Sequence, residues 1–162
     1  MMAKIRLAIT CGDPSGVGPE IIEKWLGGNI CKDAEVFLLG PVNWLNDLQG
    51  LSSYSRIGVG EESFRMSLGC PSKEGARIAS LAMEEAARGC LEDRFDAVVT
   101  APVSKNALRE IGFVFPGQSE FFADRWKSEP TMAFTGGRLR VVLATWHIPV
   151  RGIPTRLDAN LI

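Results

Sequence analysis

Apolar and polar positions fall into two alternating patterns along the chain. The runs Ile5 to Thr10, Glu35 to Leu39, Phe95 to Thr100 and Leu139 to Thr145 are short and nearly continuous in apolar residues, which predicts buried strands of a parallel sheet. Between them, Ala79, Ala82, Met83, Ala86 and Ala87 recur at helical spacing after Ser72, predicting a Ser-capped helix that ends at Gly89. Its alanine face is small enough to lie close against a sheet. Pro19 suits the first turn of another helix, running through Ile21, Ile22, Trp25 and Leu26 and stopping at Gly27-Gly28. Strands alternating with helices predict an α/β fold, a mainly parallel sheet with helices on both faces. Ile5 to Thr10, Phe95 to Thr100 and Leu139 to Thr145 are expected as neighbouring strands.

Three stretches depart from this rhythm. Gln49 to Pro71 carries glycines, serines and scattered charge, so a loop or a short hairpin is expected there. Gly136-Gly137 separates Thr131 to Phe134 from the run beginning at Leu139, a hairpin signal. Pro154 to Asp158 resembles a helix start with Thr155 as cap and Leu157 and Leu161 opening an apolar stripe. With no end signal before Ile162, the sequence reads as one cut short.

Composition narrows the function classes. A chain of 162 residues with 46% hydrophobic content and a formal charge of −1 fits one soluble globular domain, or part of a larger one. No basic excess points to nucleic acid. An apolar run of about 18 residues, which a membrane-spanning helix needs, is absent, and so is a signal-peptide pattern. A cytoplasmic protein without nucleic-acid or membrane partners is expected. Cys11, Cys31, Cys70 and Cys90 form no Cys-x-x-Cys pair, so they are read as reduced core thiols.

The candidate chemistry sits at strand ends. Gly12-Asp13-Pro14-Ser15-Gly16-Val17-Gly18-Pro19-Glu20 follows the first strand and offers bare backbone N–H groups either to an anion or to another stretch of backbone. It lacks the Gly-Lys-Ser/Thr ending of a phosphate loop and the third glycine of the dinucleotide fingerprint. Asp13 either braces this loop by an Asx-type bond or faces a cleft. Lys105 falls in the first turn of a helix starting around Pro102, against the helix dipole, and answers either an acidic side chain or a ligand anion. Ser119 reads as a helix cap before Glu120 to Trp126 with Gln118 as a turn residue, or both hold a ligand. His147, the one histidine of the chain, is either a hydrogen-bonded structural residue or a metal ligand.

Four ordered segments resemble the 4-hydroxythreonine-4-phosphate dehydrogenase family. They are the glycine loop, Val99 to Leu108, Phe115 to Phe122 and Leu139 to Arg151. The resemblance covers essentially the whole chain but about the first half of a family member, so residues 1–162 are expected to be the N-terminal portion, with the C-terminal half absent. It implies an isocitrate/isopropylmalate dehydrogenase-like fold and a homodimer. The implied reaction is oxidation, with decarboxylation, of 4-phosphohydroxy-L-threonine in pyridoxal phosphate biosynthesis. NAD or NADP would accept the hydride, and a divalent metal such as zinc, magnesium or cobalt would be required. Gln118 and Ser119 would hold this small phosphorylated substrate, with Ser119 standing where the family usually has Thr. His147 would be a metal ligand, two further histidines lying beyond Ile162 and one of those coming from the second subunit. The glycine loop, Lys105, Gln118 and His147 are expected to approach one cleft. Two alternatives remain: a dehydrogenase of another 4-phosphorylated hydroxy acid, phospho-threonate or phospho-erythronate, and a non-catalytic α/β domain.

Overall fold

The computed structural model describes residues 4–28, 33–48, 54–159 and 161. Strands β1 (Ile5–Thr10), β2 (Ala34–Pro41), β3 (Ser55–Val59) and β4 (Ala97–Thr100) form one sheet in the order β3-β2-β1-β4. Every pairing is parallel, with Ile9 opposite Leu38 and Val99. Alternate side chains of a strand point to opposite faces, and both faces are covered. Ile9, Cys11, Val36 and Leu38 pack with Ile22 and Leu26 of α1 (Gly18–Gly28) and with Trp44 and Leu45 of α2 (Val42–Asp47). Ala8 and Leu39 pack on the other face with α3 (Lys73–Leu91), α4 (Lys105–Glu110) and α5 (Gln118–Trp126). The expected parallel sheet with helices on both faces is therefore present.

Helix α3 keeps the expected start and passes the expected end. Ser72 Oγ accepts from Gly75 N at 3.0 Å, satisfying one of the N–H groups left open at a helix start. Its alanine face is buried, with Ala82 and Ala86 at 0% exposure. Gly89 does not stop the helix, which continues to Leu91. A β-carbon there would lie 2.1 Å from Cε2 of Phe95, so the glycine is needed by an aromatic ring that packs onto the helix backbone. Two residues beyond Leu91, Asp93 adopts φ 54°, the left-handed conformation that commonly follows a helix.

Segment 54–71 also differs from expectation, because Ser55–Val59 is a strand. It pairs with β2 alone at the edge of the sheet. An edge strand buries only part of its surface, so Ser55, Arg56 and Gly58 stay exposed and the continuous apolar signature of a central strand is missing. The expectations placed on Cys31 and on residues 49–53 lie outside the described residues.

The boundary between two compact units falls between Trp126 and Lys127. In the second unit, Leu139 does not begin a strand of the main sheet. Strand β6 (Leu139–Val142) pairs antiparallel with β5 (Ala133–Gly136) in a separate two-stranded sheet, and all eight residues are exposed. The hairpin signal governs here: Gly137 adopts φ 53°, which a tight turn demands and a side chain resists. The helix near the end is α6 (Ile153–Arg156), so Thr155 is not its cap. Pro154 sits in the first turn and presets the helical φ, while Thr155 Oγ1 donates to Gly152 O at 2.9 Å. Among the described residues no helix is long and apolar enough to cross a membrane.

Two measurements check this account. Replacing Gly89 by Ala favours an exposed helix by about 0.5–1 kcal/mol, but a methyl forced against the buried Phe95 ring costs about 1–3 kcal/mol. Gly89→Ala is expected to lower the urea midpoint; a raised midpoint would contradict the packing described. The second concerns Arg6 and Asp96, which join the start of β1 to the residue before β4 at 2.7 Å. The Arg6 guanidinium, and after it the Arg6 backbone N–H, hold the Asp96 carboxyl at about 2, below its usual 3.8. A depressed carboxyl contributes stability above its unfolded value and loses it as pH falls through the folded one. Stability is expected to decline between about pH 4 and 2, and Asp96→Asn should flatten that limb in a pH series of urea midpoints.

Candidate functional site

The sheet order creates a point of divergence between β1 and β4. The connection leaving β1 passes through α1 on one face, while the connection entering β4 comes from α3 on the other face. Ligands of open α/β sheets bind beyond the carboxyl ends of strands where neighbouring connections diverge in this way. Two loops meet there, the glycine loop after Thr10 and residues 101–104 after Thr100.

The glycine loop is shaped by contact with backbone. Gly12 adopts φ 70°, and a β-carbon on it would lie 2.3 Å from Pro102 O and 2.9 Å from Ala101 O. A β-carbon on Gly18 would lie 2.1 Å from Cys11 O. No side chain fits at either position. The N–H groups of Cys11, Asp13 and Gly16 donate to Leu39 O, Pro102 O and Asp13 O at 2.8–2.9 Å. Of the two partners expected for this loop, these glycines therefore meet backbone. Asp13, 6% exposed, braces the loop: its Oδ1 accepts from Ser15 N at 2.9 Å.

Gln118 and Ser119 open α5 beside this junction. Helix α5 is anchored by Phe121 and Phe122, exposed by 1% and 7%, and by Arg125, which lies over the Phe121 ring and pairs with Glu84 of α3. That anchoring carries the Gln118 side chain back to the end of β4, where Nε2 donates to Ala101 O at 3.2 Å. Gln118 Oε1 is buried without a hydrogen-bond partner, as is Thr10 Oγ1 at the end of β1. Ser119 is the second residue of α5 and exposed, so it is not the N-cap. Lys105 begins α4, behind a Ser104 cap that accepts from Ala107 N at 3.4 Å. Lys105, Arg109, Gly117 and Gln118 line one small hollow of about 10 Å³. Thus the structure brings the glycine loop, Gln118 and Lys105 to neighbouring positions around Ala101 and Gly117.

His147 belongs to the second unit. It is exposed, its ring 4.7 Å from that of Trp146, and its backbone has φ 55°. Asp93 and Lys127 share this left-handed conformation just after helices α3 and α5, where it is ordinary. His147 follows no helix, so its strain is left without that explanation and marks a candidate functional residue. The described residues contain no group of three or more His, Cys, Asp or Glu able to hold a metal. One imidazole nitrogen does not complete a metal centre. A hollow of about 640 Å³, lined by Glu129, Thr131, Val142, Trp146, Arg156 and Leu161 among others, is also in the second unit.

Sequence reasoning missed Thr10 and Ala101. Thr10 carried a usable signal, a polar residue closing an apolar strand directly before a glycine loop. The role of Ala101 lies in its carbonyl group, which no side-chain identity announces.

A parallel sheet whose neighbouring connections diverge between β1 and β4, with helices on both faces, defines an α/β protein of the doubly wound type. The chain belongs to the family described as pyridoxal phosphate biosynthetic protein PdxA, whose family model matches residues 38–162. It is 34% identical to a 4-hydroxythreonine-4-phosphate dehydrogenase of Zymomonas mobilis, over 96% of this chain and 52% of that one. A protein of the same name from Geobacter metallireducens is also 34% identical, over 93% and 51% of the two chains. The solved 4-hydroxythreonine-4-phosphate dehydrogenase of Burkholderia phymatum superposes with a TM-score of 0.85 at 21% identity, over 99% of this chain and 55% of the other; it shares the fold. The chain spans about half the length of the curated relatives it matches.

The thiols separate cleanly by environment. Cys11 is 0% exposed, and burial pushes its thiol up to about 12 from a usual 9.0. Cys70 is exposed and Cys90 half-buried, so the core reading of the cysteines holds for Cys11 and not for Cys70. Only a thiolate that a reagent can reach is alkylated readily. At pH 8, iodoacetamide is expected to modify Cys70 in the native protein and Cys11 only after unfolding, as peptide mass mapping would read. Because the folded Cys11 keeps its proton longer than the unfolded one, its contribution to stability is full below about pH 9 and declines toward pH 12.

Proposed function

We propose that this chain forms part of an NAD(P)-dependent dehydrogenase acting on 4-phosphohydroxy-L-threonine, an oxidoreductase of pyridoxal phosphate biosynthesis. The single observation carrying this reading is family membership, with relatives bearing that enzyme name across 93–96% of this chain. The secondary alcohol carbon gives a hydride to the nicotinamide ring and its hydroxyl gives up a proton. The resulting β-keto acid breaks its bond to the carboxylate and releases carbon dioxide.

Gln118 and Ser119 hold the phosphorylated substrate in this reading. What supports them is position: both open α5, and Gln118 donates to Ala101 O beyond the carboxyl end of β4. Ser119 brings an exposed hydroxyl and Gln118 an amide. His147 is one ligand of a divalent metal, zinc, magnesium or cobalt, whose other ligands come from outside the described residues. Its exposed ring and left-handed backbone support this role. The working form is a homodimer in the cytoplasm, a reducing compartment suited to the free thiols of Cys11, Cys70 and Cys90.

Two measurements test the proposal. In a ¹⁵N-labelled protein, 4-phosphohydroxy-L-threonine is expected to shift the signals of Gln118 and Ser119, and Gln118→Ala to weaken binding by about tenfold, the size of one hydrogen bond to a charged group. Absence of those shifts would remove both residues from the substrate site. In a spectrophotometric assay with NAD(P) and added metal, the 162-residue polypeptide alone is expected to form no NAD(P)H and to bind zinc weakly. Turnover by this chain alone would overturn the ligand count made for His147. The same binding titration with phospho-threonate and phospho-erythronate ranks the alternative substrates.

A further inference from the structure

The two edges of the main sheet are unlike. Strand β3 closes one edge with Ser55, Arg56 and Gly58 exposed, and a charge on the last strand of a sheet discourages further pairing. Strand β4 closes the other edge with Ala97-Val98-Val99-Thr100, a run without a charge. That is the composition of a strand paired on both sides. The run expected beside it begins at Leu139, but Leu139–Val142 pairs with β5 instead, so among the described residues β4 has β1 as its one partner strand.

Backbone geometry identifies the open groups. Cys11 N donates to Leu39 O of β2, whereas Thr10 O accepts from Ala101 N, so Thr10 is turned toward β4 and Ala101 toward β1. Successive residues of an extended strand direct their N–H and C=O groups to opposite edges. Ala97 and Val99 therefore share the direction of Ala101, and Val98 and Thr100 present their backbone groups to the free edge. One side-chain face is open as well. Val99 lies opposite Ile9 in the register, on the sheet face where Ile9 packs with α1 and α2, yet Val99 is 46% exposed. Strands of parallel sheets are ordinarily covered on both faces, and that side of β4 is left open at Val99.

The relatives indicate what belongs there. The chain spans about half the length of the relatives it matches, while its fold superposes on a solved relative over 99% of its own length. We propose that the free edge of β4 is the docking surface for a strand from the C-terminal half of a PdxA chain, running parallel to β4, bonded to Val98 and Thr100, and joined to a helix that covers Val99. The parallel direction agrees with every other pairing of this sheet, and parallel strands are connected through helices that lie on a sheet face. A second copy of this chain fits less well, because a two-fold axis normal to the sheet would set β4 against β4 antiparallel. The proposal rests on family membership and is independent of the substrate reading.

The test supplies that half as a separate polypeptide. The C-terminal half of the Zymomonas mobilis relative is co-expressed with the 162-residue chain, and amide hydrogen exchange of the ¹⁵N-labelled chain is followed residue by residue. The Val98 and Thr100 amides are expected to exchange freely in the chain alone and about tenfold more slowly in the complex, the worth of about one hydrogen bond, with the amides of β3 unchanged. Val99→Lys, at a side chain already half exposed, should leave the urea midpoint of the chain alone near that of wild type and weaken the complex at least about tenfold, since the complex would bury an unpaired charge. Undiminished binding by Val99→Lys would overturn the covering helix. Failure of the two polypeptides to co-purify, or protection gained at β3 instead of β4, would overturn the docking surface. Slow exchange of Val98 and Thr100 in the chain alone would overturn it too, and a dimer mass would then give the edge to a second copy. If Val99→Lys does not fold, the exchange rates of the wild-type pair decide.

Discussion

The backbone of the glycine loop lies directly on the backbone that leaves β4, and the site depends on that contact. Gly12 stands where any β-carbon would collide with Ala101 and Pro102, and Asp13 N closes the contact by donating to Pro102 O at 2.9 Å. Gly18 then lets the first turn of α1 fold back onto the Cys11 carbonyl. Because the two strand ends are held this tightly, the Ala101 carbonyl has a fixed position. Gln118 is oriented by that carbonyl, so on the reading proposed the placement of a substrate-binding side chain begins with two glycines.

The helices around the junction supply rigidity by different means. Helix α3 packs through alanines, with a glycine where Phe95 needs room. Helix α5 packs through large rings, Phe121 and Phe122, and is tied to α3 by the Arg125–Glu84 pair. Exposed ion pairs contribute little by themselves, but here the guanidinium also covers the faces of Phe115 and Phe121. The ring cluster therefore sets where α5 starts, and with it the reach of Gln118.

The second unit follows another logic. Its hairpin exposes all eight strand residues, and leucine and valine on an exposed strand are apolar surface of the kind that partners cover. His147 stands out there by backbone conformation rather than by burial. Since a metal centre takes several donors, the chemistry proposed for His147 depends on groups beyond those described.

The sequence by itself determined the elements whose signals are local. The apolar run Ile5 to Thr10, the alanine stripe of α3 with its Ser72 cap and the Gly136-Gly137 turn all act through residues near in sequence, so periodicity and capping rules reach them. The four family segments likewise named the family that residues 38–162 match. Tertiary structure decided what depends on distant partners. Leu139–Val142 has the composition of a buried strand but pairs within a hairpin, because a turn two residues long brings its partner first. Ser55–Val59 becomes a strand because β2 offers a free edge, which its own polar residues do not announce. Gly89 reads as a stop until Phe95 is placed against it, and Ala101 reads as one more small residue until the Gln118 amide arrives from α5 and donates to its carbonyl. A hydrogen bond or a ring contact between residues far apart in the chain leaves no periodic trace, and for that reason the site was visible as a set of residues before it was visible as an arrangement.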